Sequence, residues 1–268
     1  MRILLTNDDG IDAPGLLAVA SALAADGHDL SVAAPASDRS GSGSGLGSIA
    51  HGAEIAVTEH TLRGLPGVPA VSVDAPPAFA VLASCTGVLG PRPDIVVSGI
   101  NEGFNTGRLI LTSSTVGAVL MAGSLGVRGL AISAGFAPDH RYDTAAEVGA
   151  AMVAWLMEQS APRTVLNLNV PNVSIDELRG VVTAPLSPRS LMGLRLERSE
   201  GAVRLHRFEN VDRLGTDTDS SLVLEGYAAV SFLTTTTAQH HEPDTDPAAS
   251  IREALHRRSH AVGERTGT

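Results

Sequence analysis

The feature that most constrains this chain is the alternation of strand and helix signals over roughly its first 170 residues. Arg2–Thr6 reads as a short buried strand. Pro14 suits the first turn of a helix, an Ala/Leu-rich run continues to about Ala25, and Gly27 stops it. Asp29–Ala33 reads as a second strand, and Ile95–Ser98 as another, entered through Pro91 and Pro93. Ser113–Leu125 is helical in pattern, Gly129–Ser133 extended, Thr144–Met157 helical and Val165–Leu168 extended. Strands separated by helices are joined by crossovers, so they form a parallel sheet whose two faces both need cover. The expected fold is α/β: a three-layer, Rossmann-like, mostly parallel sheet with helices on both faces.

After Pro171 the pattern changes. Leu194 and Leu196 alternate with charged residues, Ser199-Glu200-Gly201 is a turn signal, and Val203 and Leu205 alternate again. This reads as an exposed hairpin arm. A two-stranded ribbon is marginal in water by itself, so the arm is expected to pack on another subunit, in a homodimer or homotetramer. Tyr227–Leu233 reads as a closing strand. Asp246-Pro247 suits the start of a helix over Ala248–Arg257, followed by a frayed tail. One domain is expected: a core to about residue 170, the arm and closing strand to about 237, then a C-terminal helix and tail.

Composition narrows the function classes. The apolar fraction of 43% can build a core, but with only 3% aromatic residues that core must be aliphatic and alanine-rich. A formal charge of −10, with no lysine in the chain, argues against binding nucleic-acid backbones, which needs a basic face. Cys85 is the only cysteine, so neither an intrachain disulfide nor a cysteine-based zinc site can form. It sits in an Ala/Leu-rich helical stretch and reads as a small core residue. The short apolar run Ile3–Leu5 meets Asn7, Asp8 and Asp9 at once, which is not a signal-peptide pattern, and no apolar stretch reaches the 18 or so residues of a membrane span. The expectation is a soluble, cytoplasmic protein with no membrane partner.

Three polar segments carry chemistry. Thr6-Asn7-Asp8-Asp9-Gly10 places adjacent carboxylates at the end of a buried strand, where open parallel sheets bind ligands. Neighbouring acids repel, burial sharpens the repulsion, and a hard cation such as Mg2+, Mn2+ or Ca2+ relieves it. Taken alone, the more economical reading is a solvated turn with helix-capping acids. The run 35–48 is rich in Gly and Ser but fails a dinucleotide fingerprint, because Leu46 and Ser48 stand where glycine is needed and the run follows the second strand. It reads as a mobile loop whose hydroxyls, Ser40 for one, can complete a metal shell. The third segment runs from Ser98 to Gly107 and holds Asn101 and Asn105. Ser113-Ser114-Thr115 then opens a helix, whose N-terminus is a ready phosphate receptor. All three should converge on one crevice. His240-His241-Glu242 lies in a polar stretch and reads as solvated surface; Asp217 and Asp219 read as loop-capping residues.

These residues resemble a known family. The runs MRILLTNDDGIDAPG and PRPDIVVSGINEGFNTG are similar to the signature blocks of the SurE 5'/3'-nucleotidases, as are Asp38-Arg39-Ser40-Gly41 after Ala34-Pro35 and Ser113-Ser114-Thr115-Val116. Asn167–Pro171, Gly215-Thr216-Asp217 and Glu225-Gly226-Tyr227 are weaker echoes. The resemblance implies a phosphatase acting on nucleoside monophosphates, with one divalent cation per subunit (Mg2+ or Mn2+) held by Asp8, Asp9, Ser40 and Asn101. It implies phosphate contacts at Asn105, Ser113 and Thr115; Ser114 and Gly41 are expected to join them, with Asp8, Asn105 and Ser113 as the catalytic residues. It also implies a dimerising arm and an exchanged C-terminal segment. Several positions depart from the family pattern. Ser114 replaces a glycine and is expected to crowd the phosphate loop. Arg108-Leu109 replaces an acidic pair, Ala75–Phe79 replaces a Thr-Pro-x-Asp-Cys pattern, and Phe232-Leu233-Thr234 replaces a Thr-Pro-Leu run. Two other readings remain: a phosphatase specialised for a natural-product or sugar phosphate, and a catalytically silent nucleotide-binding homologue.

Overall fold

The computed structural model describes residues 1–136, 140–212 and 214–235. The expectations at His240-His241-Glu242, for a helix over Ala248–Arg257 and for an exchanged C-terminal segment lie outside these residues. In chain order the elements begin with β1 (Arg2–Thr6), α1 (Pro14–Ala25), β2 (Asp29–Pro35), β3 (Val57–Leu62), β4 (Leu65–Val73), α2 (Pro77–Cys85) and β5 (Ile95–Glu102). There follow α3 (Ser114–Ser124), β6 (Arg128–Ala134), α4 (Asp143–Gln159), β7 (Val165–Val170) and β8 (Val181–Thr183). The series ends with β9 (Met192–Ser199), β10 (Ala202–Glu209), α5 (Asp219–Leu224) and β11 (Ala228–Leu233).

A nine-stranded sheet runs in the order β3-β4-β2-β1-β5-β6-β7-β11-β8. The six strands from β4 to β7 are parallel to their neighbours, whereas β3 and β11 pair antiparallel at either side. Burial explains why both faces are covered. Ile3 and Leu5 point into a core shared with Leu16, Val19 and Leu23 of α1 and Val153 and Leu156 of α4. Leu4, on the opposite side of the same strand, joins Val81 of α2 and Val116 and Val119 of α3. Each such fully buried aliphatic side chain contributes about 1.5–3 kcal/mol of transfer free energy. The expected α/β architecture with helices on both faces is what forms. No helix among the described residues is long and apolar enough to cross a membrane.

One expectation needs correction, and one pair of strands is new. The strand expected at Ile95–Ser98 continues to Glu102 through a register irregularity between Ser98 and Asn101, so Asn101 lies on the strand and not in the loop after it. The β3–β4 pair has no counterpart in the sequence pattern, because Pro66 and Pro69 interrupt a stretch that shows no clean alternation. The arm does form: β9 and β10 pair from Ser199↔Ala202 to Met192↔Glu209 as a separate two-stranded sheet, leaving Leu194, Leu196, Val203 and Leu205 exposed.

Because β1, β2, β5, β6 and β7 are parallel, their carboxyl ends share one edge of the sheet. Register there aligns Asn101 with Ser133 and Ser133 with Asn169 across three strands. That polar row at the end of an otherwise aliphatic sheet marks the site.

Candidate active site

The turn after β1 is closed by a side chain. Asn7 is fully buried; its Nδ2 donates to the Gly10 carbonyl at 2.9 Å and its Oδ1 accepts from the Gly10 amide at 3.3 Å. Sequence reasoning gave Asn7 no role, although an Asn ahead of Asp-Asp-Gly is a turn signal that could have prompted one. This clamp holds the two carboxylates in place. Asp8 is buried, and its Oδ1 accepts from the Thr115 hydroxyl at 2.6 Å. Burial raises the Asp8 carboxyl above its ordinary range, against the Thr115 hydrogen bond that lowers it. Asp9 is half-buried and is pushed up to about 7, first by burial, then by the charges of Asp8, Glu102 and Asp38.

The run 36–48 is tied down at several points. The Arg39 amide donates to the Asp8 carbonyl at 2.8 Å, and the Ser40 amide donates to Asp38 at 2.7 Å. Hydrogen bonds from the Ser40 hydroxyl and amide lower Asp38 below the usual carboxylate range. The Gly43 amide donates to the Thr112 carbonyl at 3.2 Å. Gly43 lies so close to α3 that a Cβ at Gly117 would stand 2.2 Å from its carbonyl oxygen; only glycine permits this approach. Where a mobile loop was expected, these bonds hold the segment against the start of α3. Gly41 takes a positive φ of 85° in an exposed turn of this loop.

From β5, Asn101 Nδ2 donates to the Gly103 carbonyl at 2.7 Å, which commits the amino end of that amide and turns Oδ1 into its available atom. Asn105 is held by neighbouring strands: its amide donates to Asn169 Oδ1 at 2.8 Å, its Nδ2 donates to Ser133 Oγ at 2.9 Å, and its carbonyl accepts from Asn167 and Asn169. Asn167 and Asn169 are fully buried and were noted from sequence only as part of a weak echo. Their spacing of two on β7 puts both on one face, which is the signal that was available. Asp219 is also fully buried and accepts from the amides of Gly107, Ser187 and Ser220, the loop-capping role expected of it.

The helix start completes the arrangement. Ser113 is the N-cap of α3, and its Oγ accepts from the Val116 amide at 3.2 Å. The first amides of α3 therefore face the same rim as Asp8, which Thr115 joins directly. Glu102, whose charge acts on Asp9, accepts from the Tyr142 hydroxyl at 2.7 Å. Burial, then Glu102, pushes the Tyr142 phenol up. Among the described residues no three His, Cys, Asp or Glu side chains form a ligand cluster. A cation here would have to draw on neutral oxygens as well. Two carboxylates with the Ser40 hydroxyl and the Asn101 carbonyl would make an all-oxygen set, the donor chemistry that suits a hard divalent ion.

Residues 3–192 match the family described as Survival protein SurE. The chain belongs to the SurE family. Among its relatives are proteins named 5'-nucleotidase SurE. One, from Carboxydothermus hydrogenoformans, is 40% identical over 75% of this chain and 76% of the relative. Another, from Pseudomonas syringae pv. syringae, is 34% identical over 87% of this chain and 92% of the relative. The crystal structure of the SurE protein from Aquifex aeolicus superimposes with a TM-score of 0.76 at 27% identity, covering 90% of this chain and 96% of that one.

Within the family frame, the departure at Ser114 takes on a structural meaning. Its hydroxyl donates to the Arg39 carbonyl at 2.9 Å and accepts from both the amide and the hydroxyl of Ser42, each at 2.9 Å. Ser114 thus latches the Ser40 loop to α3 instead of crowding it. The same side chain also helps to lower the Asp8 carboxyl, so it ties the loop, the helix start and the acid pair together. The departure at Ala75–Phe79 is absorbed by packing, since Pro77 opens α2 and Ala75 and Phe79 join the core beneath it. Arg108 is exposed in the short 3-10 turn Gly107–Leu111.

Proposed function

We propose that this protein is a hydrolase of phosphate monoesters, specifically nucleoside 5'-monophosphates, working with one divalent cation per subunit (Mg2+ or Mn2+). Asp8, Asp9, the Ser40 hydroxyl and Asn101 Oδ1 are the ligands we assign to it. The observation that carries the reading is the 2.6 Å hydrogen bond from Thr115 to Asp8. It joins the acid pair to the N-terminus of α3 across more than 100 residues of sequence, so cation and phosphate would meet at one point. Kinship with proteins named 5'-nucleotidase SurE supports the choice of ester.

The chain's own groups have separable tasks. Free amides at the start of α3, with the Ser113 hydroxyl and the Asn105 side chain, stabilise charge on the phosphoryl oxygens by preorganised hydrogen bonds. Asn105 is preorganised because Ser133, Asn167 and Asn169 fix it before substrate arrives. Asp8 has one carboxylate oxygen engaged by Thr115, leaving the other to orient the attacking water or accept its proton. When bound, the cation neutralises phosphoryl charge and makes water a better nucleophile.

The test is phosphate release from a panel of esters with Mg2+, with Mn2+ and with chelator. Asp8→Asn should abolish turnover while the melting curve shows an intact fold; retained activity refutes the assignment. Arg108, exposed close to the Asn105 segment, favours a second reading: a SurE phosphatase turned to a more anionic ester. A sugar bisphosphate exceeding every nucleotide in kcat/KM would establish it. The exposed apolar face of the arm supports assembly into a homodimer or homotetramer.

A further inference from the structure

Aromatic residues are scarce in this chain: one Trp, two Tyr and five Phe among 268 residues. Two of the five phenylalanines, Phe104 and Phe136, nevertheless line one small cavity of about 140 Å³, together with Leu191, Met192, Val211 and Glu209. The cavity adjoins the phosphate-binding segment. Phe104 sits between Gly103, whose carbonyl orients Asn101, and Asn105. Phe136 follows the end of β6, the strand whose Ser133 holds Asn105. The opposite wall comes from the base of the arm, where Met192 and Glu209 are register partners.

Phe136 is 51% exposed, although a large apolar ring at a rim is costly to leave in water. Its position is made by glycine. A Cβ on Gly103 would stand 2.1 Å from the tip of the Phe136 ring, so only glycine at 103 allows the ring to lie over the backbone there. Phe104 uses the same device, since a Cβ on Gly135 would stand 2.7 Å from its ring. Two rings seated on bare backbone beside a phosphate site present flat apolar surface. The cavity is well below the ~300–1,000 Å³ of pockets for larger ligands, which suits a single flat ring system. The Glu209 carboxylate on its wall is an acceptor for the N–H groups of a base, the exocyclic amino group of adenine among them, a chemistry that hydrocarbons do not offer.

Resting on the phosphatase reading above and deepening it, we infer that this cavity receives the base of a nucleoside monophosphate. Phe136 is its stacking platform, Phe104 its inner wall and Glu209 the partner of its polar edge. Selection for nucleotides over other phosphate esters then resides at the cavity and not at the metal ligands. Base–aromatic stacking is worth about 1–3 kcal/mol per base, or roughly 5- to 150-fold in binding.

The experiment compares adenosine 5'-monophosphate with ribose 5-phosphate, which has the same phosphate and sugar but no base. Phe136→Ala should lower kcat/KM for the nucleotide about tenfold or more and change that for ribose 5-phosphate less than about twofold. Phe136→Tyr should restore the nucleotide rate. Calorimetric binding of adenosine 5'-monophosphate, which needs no turnover, should weaken by a similar factor in Phe136→Ala. Equal effects on both substrates, or unchanged nucleotide binding, overturn the inference. A wild-type protein that binds the nucleotide through Phe136 yet releases no phosphate would sink the hydrolase reading alone.

Discussion

Without a bound cation, the stability of this protein should depend on pH through Asp9, in a direction opposite to that of an ordinary paired carboxylate. Asp9 is pushed up from 3.8 to about 7 by burial and by Asp8, Glu102 and Asp38. The folded, metal-free protein therefore keeps a proton on Asp9 that the unfolded chain has already released. Stability present below about pH 4 is lost as pH rises through about 7, because the folded state binds more protons over that window. A shift of about three units at about 1.36 kcal/mol per unit sets a ceiling of about 4 kcal/mol; solvent screening of a partly exposed side chain reduces this to about 2 kcal/mol. For a domain of this size that corresponds to about 4–8 °C in Tm. A bound divalent ion requires the deprotonated pair and should cancel the loss. The assay is thermal melting of wild type and Asp9→Asn at about pH 5 and about pH 8, in chelator and in excess Mn2+. In chelator the wild type should lose stability between the two pH values relative to Asp9→Asn, and Mn2+ should erase the difference in the wild type only. Parallel pH dependence of the two proteins in chelator would refute the electrostatic argument.

Two further perturbations follow from the geometry. Ser114→Gly restores the usual family residue but removes the latch between the Ser40 loop and α3; it should cost about 1–3 kcal/mol in denaturant melts and weaken Mn2+ binding measured by calorimetry. Unchanged metal affinity would show that the latch does not support Ser40. On the arm, Leu196 faces its register partner Leu205, and both are exposed. Leu196→Asp should shift the protein to monomer in sedimentation velocity without lowering its melting temperature by more than a few degrees.

The core elements and the address of the site were legible in the sequence for a physical reason. A parallel sheet covered on both faces requires short continuous apolar runs, such as Ile3–Leu5 and Ile95–Val97, separated by helices. The ends of those runs are where polar chain must emerge, and Asp8 and Asp9 stand at such an end. Two parts of the fold were not so legible. The β3–β4 pair lacks alternation, and β5 passes through its irregularity at Gly99–Ile100 before reaching Asn101.

What only the tertiary structure decided is which polar atoms meet. Periodicity records which face of an element is apolar, but a hydrogen bond is specified by two partners whose separation in sequence is arbitrary. Thr115 reaches Asp8, Asn169 holds Asn105, and Asp219 pins Gly107 only after crossovers bring those segments to one edge. Ser114 makes the same point: as a letter in a motif it reads as an obstruction, whereas in the folded chain its hydroxyl has three partners and fastens the loop that carries Ser40.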